Sequence, residues 1–163
     1  MAYRVLMILP TLYRKWAATR LHTLYEWVPQ WANEAIYAGI PGLGAADGWF
    51  QTAITLEHCH ITNTPFIGGA VDILKCFDQI HRDLLYALCQ KAGLPARILL
   101  AYRSFHENLQ AYNSIAGALG QPYTKPASIP QGCPLSMVLI APYHETMDPP
   151  CQSRQRHPPD TSR

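Results

Sequence analysis

Phe66-Ile67-Gly68-Gly69-Ala70-Val71-Asp72-Ile73, running on into Leu74-Lys75-Cys76-Phe77-Asp78, is an apolar stretch that carries one carboxylate near the end of its first part. Pro65 bounds it on one side and a polar segment on the other, the pattern of a short buried strand. A strand of this kind, set among helical spacings, fits an α+β fold. A second segment, Ser128-Ile129-Pro130-Gln131-Gly132-Cys133-Pro134-Leu135-Ser136, forms a rigid Pro–Gln–Gly turn followed by an apolar run.

Helical spacing dominates the chain around these two segments. From Pro10 to Trp31, the residues Leu12, Trp16, Leu21, Leu24 and Val28 form one apolar stripe, and Pro10 suits the first turn. Arg14, Lys15 and Arg20 lie off that stripe, either as a solvated face or as a contact for backbone phosphates. A glycine-rich break from Gly39 to Gly48 precedes a second helix over Asp47 to Ile61. Its glycines are out of order for a dinucleotide fingerprint and follow a helix instead of a strand, so that reading is rejected. Gln79 to Ala92 predicts a third helix, with Ile80, Leu84, Leu85 and Leu88 inward and Gly93 as its stop. Ala96 to Glu107 predicts a fourth, opened by Pro95. Leu109–Ile115 and Pro122–Ala127 read as a hairpin about a Gly117–Gly120 turn, and Pro134–Ile140 begins a further helix.

Composition limits what the chain can do. Its 163 residues make one domain by length, 48% of them apolar and 15% charged against a typical ~25%. A net charge of +2 with a pI near 8.3 falls short of the basic footprint of a nucleic-acid-binding domain, so any such contact is local. Five scattered cysteines, Cys59, Cys76, Cys89, Cys133 and Cys151, and the lack of a leader pattern predict a reducing intracellular compartment. His58-Cys59-His60 cannot direct three adjacent side chains at one zinc ion, and no second ligand pair stands at zinc spacing. The apolar stretches are too short and interrupted to span a bilayer. Cys133 after Gln-Gly could be a thiol nucleophile, but the sequence places no His or Asn beside it.

Asp72 alone reads as a helix cap or a solvated turn. The ordered pair of segments reads differently, because it resembles motifs A and B of reverse transcriptases of the non-LTR retroelement and group II intron type. D-I-L-K-C-F-D is similar to that family's D-x-x-x-A-F-D, with Cys76 at the small position. S-I-P-Q-G-C-P-L-S is similar to its Pro–Gln–Gly motif. Upstream, Arg4 to Trp16 resembles the segment that opens the fingers, with Val5 in place of its proline. Ala38 to Asp47 resembles a glycine- and arginine-rich stretch, with Leu43 where an Arg is common. The resemblance spans Arg4 to Ala141.

The resemblance implies the fingers–palm portion of a right-hand polymerase, with an antiparallel palm sheet, packed helices, and the C-terminal palm strands and thumb missing. It implies Asp72 as the catalytic carboxylate, and Asp72 and Ile73 as the positions holding Mg²⁺. Phe77 becomes a steric gate against a 2′-hydroxyl. Gln131, Gly132 and Arg4 line the nucleotide and triphosphate site, while Asp78 caps the following helix. The implied partners are an RNA template, a DNA primer and deoxynucleoside triphosphates, with no membrane. Residues 1–141 form the partial domain. Residues 142–163, with Pro149, Pro150, Pro158 and Pro159, form a disordered tail in which neither Asp148 nor Asp160 belongs to an Asp–Asp pair, so the aromatic-x-Asp-Asp segment that would complete the family's metal site is missing. One carboxylate holds two ions poorly. The expectation is therefore a reverse-transcriptase fragment inactive alone. The alternatives are a non-catalytic RNA-binding module derived from a retroelement, or a half-site completed by a complementing chain. An incomplete sheet also predicts an exposed edge and marginal stability.

Overall fold

The computed structural model describes residues 7–145. Helix α1 spans Thr11–Leu24, and a single 3₁₀ turn follows at Val28–Gln30. Helix α2 spans Ala45–Ile61, the one-turn α3 Cys76–Gln79, α4 Arg82–Lys91, α5 Ala96–Glu107 and α6 Ser136–Glu145. Two short antiparallel strands, β1 (Ser114–Ile115) and β2 (Ala118–Leu119), lie between α5 and α6. The class is α+β, with helices predominating and a small sheet.

Pro10 opens α1 with its ring-fixed φ of −54°, and Pro29, which has no N–H to give, confines the next turn to 3₁₀ form. This is why the helix stops at Leu24 and does not reach Trp31. Its buried face is Tyr13, Ala17 and Leu24, one position round from the expected stripe, so Leu12 is 83% exposed. The small Ala17 lets α1 approach closely, and the Tyr13 hydroxyl finds polar partners inside. The Trp27 indole donates a 2.7 Å hydrogen bond to the carbonyl of Ala92 and ties this turn to the end of α4.

Helix α5 has the bounds expected of it. Helix α4 starts three residues late and buries Arg82, Leu85, Tyr86 and Cys89, while Leu84 is exposed. Gly93, at φ +80°, takes the left-handed position that ends the helix, and the Leu94 N–H returns to the carbonyl of Cys89 at 2.9 Å. Helices α4, α5 and α6 enclose the core, whose fully buried members include Leu85, Tyr102, Leu135 and Leu139, with Leu24 and Val28 closing one side.

Phe66–Ile73 differs from expectation. It is irregular and exposed, with Ile67 and Val71 more than nine-tenths open to solvent. Strand-forming residues express that preference only when a neighbouring strand offers hydrogen bonds and a packed face, and none of the described strands pairs with this segment. A hairpin does form, but shorter and shifted from the expected one: its turn is Ala116–Gly117, β2 falls within the expected Gly117–Gly120 turn, and no described strand lies in 122–127. Ser114 pairs with Leu119, and a further bridge joins Ala111 to Tyr123 through two 2.9 Å hydrogen bonds. Helix α6 carries the chain past Ala141. Arg4 and most of the proposed tail lie outside the described residues.

Candidate functional site

Asp72 stands on the irregular segment, exposed, and Ile73 beside it is 43% exposed. Ile73 can offer a metal only its main-chain carbonyl. Lys75 then takes a left-handed conformation at φ +49°, and its carbonyl receives the N–H groups of Asp78 and Gln79, so α3 begins. The Gln79 amide donates back to the carbonyl of Leu74 at 2.6 Å. Asp78 therefore lies inside α3 and is not a cap of the helix that follows. Phe77 is half-buried and packs on the core.

The two sequence segments meet through the backbone. The N–H of Ile129 donates to the carbonyl of Phe77 at 3.0 Å, and the N–H of Ser128 donates to the carbonyl of Ile80 at 2.9 Å. These bonds fix the approach to the Pro–Gln–Gly turn against both ends of α3. Within the turn, the carbonyl of Pro130 accepts from the N–H of Cys133 at 3.3 Å and from the Ser136 hydroxyl at 3.0 Å. Gln131 is half-buried. Gly132 is exposed at φ +102° with open space beside its Cα, so glycine is needed here for conformation and not for a close neighbour.

Behind the turn lies a cluster that joins residues far apart in sequence. The Tyr13 hydroxyl is 3.1 Å from His106 Nε2 and 3.1 Å from Cys133 Sγ, all three side chains buried. The Tyr13 ring stacks on Phe105, with centroids 3.6 Å apart. Burial first, and the positive Arg82 second, push His106 down to about 4, so it is neutral at pH 7. Burial first, and Cys133 second, raise the Tyr13 hydroxyl far above its ordinary value. The thiol is buried and its contact is a neutral phenol rather than a base. This geometry anchors the turn and does not build an activated nucleophile.

Arg82 braces the same region. Its guanidinium donates to the carbonyl of His106 at 2.6 Å and to the carbonyl of Lys125, while its Nε forms a 3.5 Å ion pair with Glu107, too long and poorly aimed for a hydrogen bond. The Tyr86 hydroxyl donates to the same Glu107 oxygen at 3.0 Å. Sequence reasoning passed over Arg82, Tyr13 and His106. Only Arg82 left a signal, a charged residue on the Arg82–Leu85–Tyr86–Cys89 helical stripe.

Among the described residues, no group of three or more His, Cys, Asp or Glu side chains gathers where one ion could be held. The donors near Asp72 are one carboxylate and the neighbouring carbonyl. Such a set fits one side of a Mg²⁺ shell completed by water and phosphate oxygens, and does not fit two ions. His58, Cys59 and His60 lie along α2 without forming such a group. No described helix is long and apolar enough to cross a membrane. Comparison with family models, with curated proteins and with solved structures finds no match to this chain.

Proposed function

We propose that these residues are the fingers-and-palm portion of an RNA-directed DNA polymerase of the reverse-transcriptase type, without polymerase activity by themselves. The observation that carries the reading is the pair of backbone hydrogen bonds from Ser128 and Ile129 to Ile80 and Phe77. They bring the two resembling segments together, although some fifty residues separate them in sequence. In this reading Asp72, with the carbonyl of Ile73, supplies one side of a Mg²⁺ site. Bound Mg²⁺ would neutralise phosphate charge during nucleotidyl transfer. Phe77 faces the sugar of the incoming deoxynucleotide, Gln131 and Gly132 border its base and the template, and Arg4 stands near the triphosphate. The exposed, unpaired segment that holds Asp72 is the reason for inactivity. A carboxylate on exposed, irregular backbone is not fixed for catalysis, and in this reading the site requires a chain that brings further carboxylates and pairs with residues 66–73.

Primer extension on an RNA template, with Mg²⁺ and all four deoxynucleotides, tests this. The chain alone is expected to add no nucleotides. Mixed with a protein bearing the aromatic-x-Asp-Asp segment, it is expected to extend the primer, and Asp72→Ala is expected to reduce extension by at least about a hundredfold. Extension by the chain alone that survives Asp72→Ala would sink the assignment. Salt-sensitive RNA binding that Asp72→Ala leaves unchanged, with no extension in any mixture, would favour the non-catalytic RNA-binding module.

A further inference from the structure

Helix α2 is seventeen residues long and buries none of them. Phe50, Ile54, Glu57 and Ile61 succeed one another at i, i+4, i+7 and i+11, so they share one face, and Trp49 flanks it. Trp49 is 74%, Phe50 61% and Ile61 75% exposed. A helix of this length is marginal in water without a packed face. Glu57 is peculiar within such a stripe. A carboxylate in the middle of an apolar contact must meet a cation there, and it has no ion-pair partner among the described residues.

The same chain carries a surface of matching character. Pro10, Leu12, Tyr13, Trp16, Ala101 and Phe105 line an open, almost wholly apolar groove of about 490 Å³ between α1 and α5. Lys15 is exposed and stands three positions beyond the groove-lining Leu12 on α1. A groove of this volume holds a few large side chains, and the charge of Lys15 is opposite to that of Glu57.

We propose that α2 of one copy of this chain docks in the α1–α5 groove of a second copy, and reciprocally, forming a closed two-fold dimer with Glu57 paired to Lys15 of the other copy. The reciprocal exchange buries two identical contacts. The exposed apolar side chains of α2 amount to roughly 600 Å² per copy, so two such faces bury about 1,200 Å² before the groove walls are counted, which reaches the range of specific interfaces. Reciprocity also closes the assembly, where a single head-to-tail contact would propagate into a filament. This dimer is independent of the nucleotidyl-transfer reading.

Sedimentation velocity and light scattering on the full chain, over a range of concentrations, test the proposal. A species of twice 18.3 kDa is expected. Glu57→Lys and Lys15→Glu, both at exposed positions, are each expected to move the dimer–monomer midpoint to concentrations roughly tenfold higher or more, and the double variant to restore it. Leu12→Asp should give monomer with unchanged far-ultraviolet circular dichroism at matched monomer concentration. A wild-type chain that stays monomeric, a ladder of higher masses, or a double variant without rescue would overturn the proposal. The last outcome would direct attention to α2 packing on α2.

Discussion

His106 is where burial, charge and hydrogen bonding act on one ring. Its neutral form is favoured in the folded chain first because burial strips the imidazolium of water, and second because protonation would place another cation near Arg82. In the unfolded chain the imidazole titrates near 6.5. Below that value the unfolded state binds a proton that the folded state refuses down to about 4. Stability is therefore fully present above about pH 6.5 and falls as the pH drops through 6.5 toward 4, by about 3 kcal/mol in all. Urea midpoints measured at pH 7 and pH 4.5 should show this loss. His106→Gln should be less stable at pH 7 and much flatter over the same interval. An unchanged slope in the variant would assign the acid sensitivity to another group. None of this was legible in the sequence, because Tyr13, His106 and Cys133 are separated by 93 and 120 positions when counted from Tyr13. Only the packing of α1 on α5, with the Pro–Gln–Gly turn seated against them, brings them together.

Elements were legible where local chemistry alone decides them. Pro95 and the 3.6-residue spacing fix α5, and Gly93 fixes the end of α4 whatever lies around it. The inward face of α4 was less legible, because the buried Arg82 satisfies its charge on backbone carbonyls that sequence order does not reveal. The strand expected at Phe66–Ile73 failed for a related reason: pairing is a property of two segments, and composition describes one. Two substitutions separate the structure from that expectation. Val71→Ser, at an exposed position, should change stability by no more than about 0.5 kcal/mol. Leu139→Ala, at a fully buried position on α6, should cost about 2–5 kcal/mol. Chemical unfolding of both variants measures the contrast. A large loss at Val71 would mean that residues 66–73 are packed in solution after all.

At the scale of the whole molecule, the core and the apolar surface lie in different places. Helices α4, α5 and α6 with α1 hold about two-thirds of the buried side chains, and the turns around Val28 and Cys133 hold much of the rest, while α2 and the segment bearing Asp72 contribute none. Charge is similarly divided. Thirteen basic residues nearly balance eleven acidic ones, and Arg14, Lys15 and Arg20 are exposed along α1. If RNA binds there, about three phosphates are contacted, and the logarithm of the single-strand binding constant should fall with the logarithm of salt concentration at a slope of about −2. Fluorescence anisotropy with a short unstructured RNA measures that slope. Replacing Arg14 and Arg20 by Gln should reduce it by about one and weaken binding alike for every sequence. A slope steeper than about −5 would require more cations than α1 presents and would place the RNA elsewhere on the chain. A slope near zero would leave stacking as the source of affinity, which the aromatic side chains exposed on α2 could supply. In that case RNA and the second copy of the chain would compete for one helix.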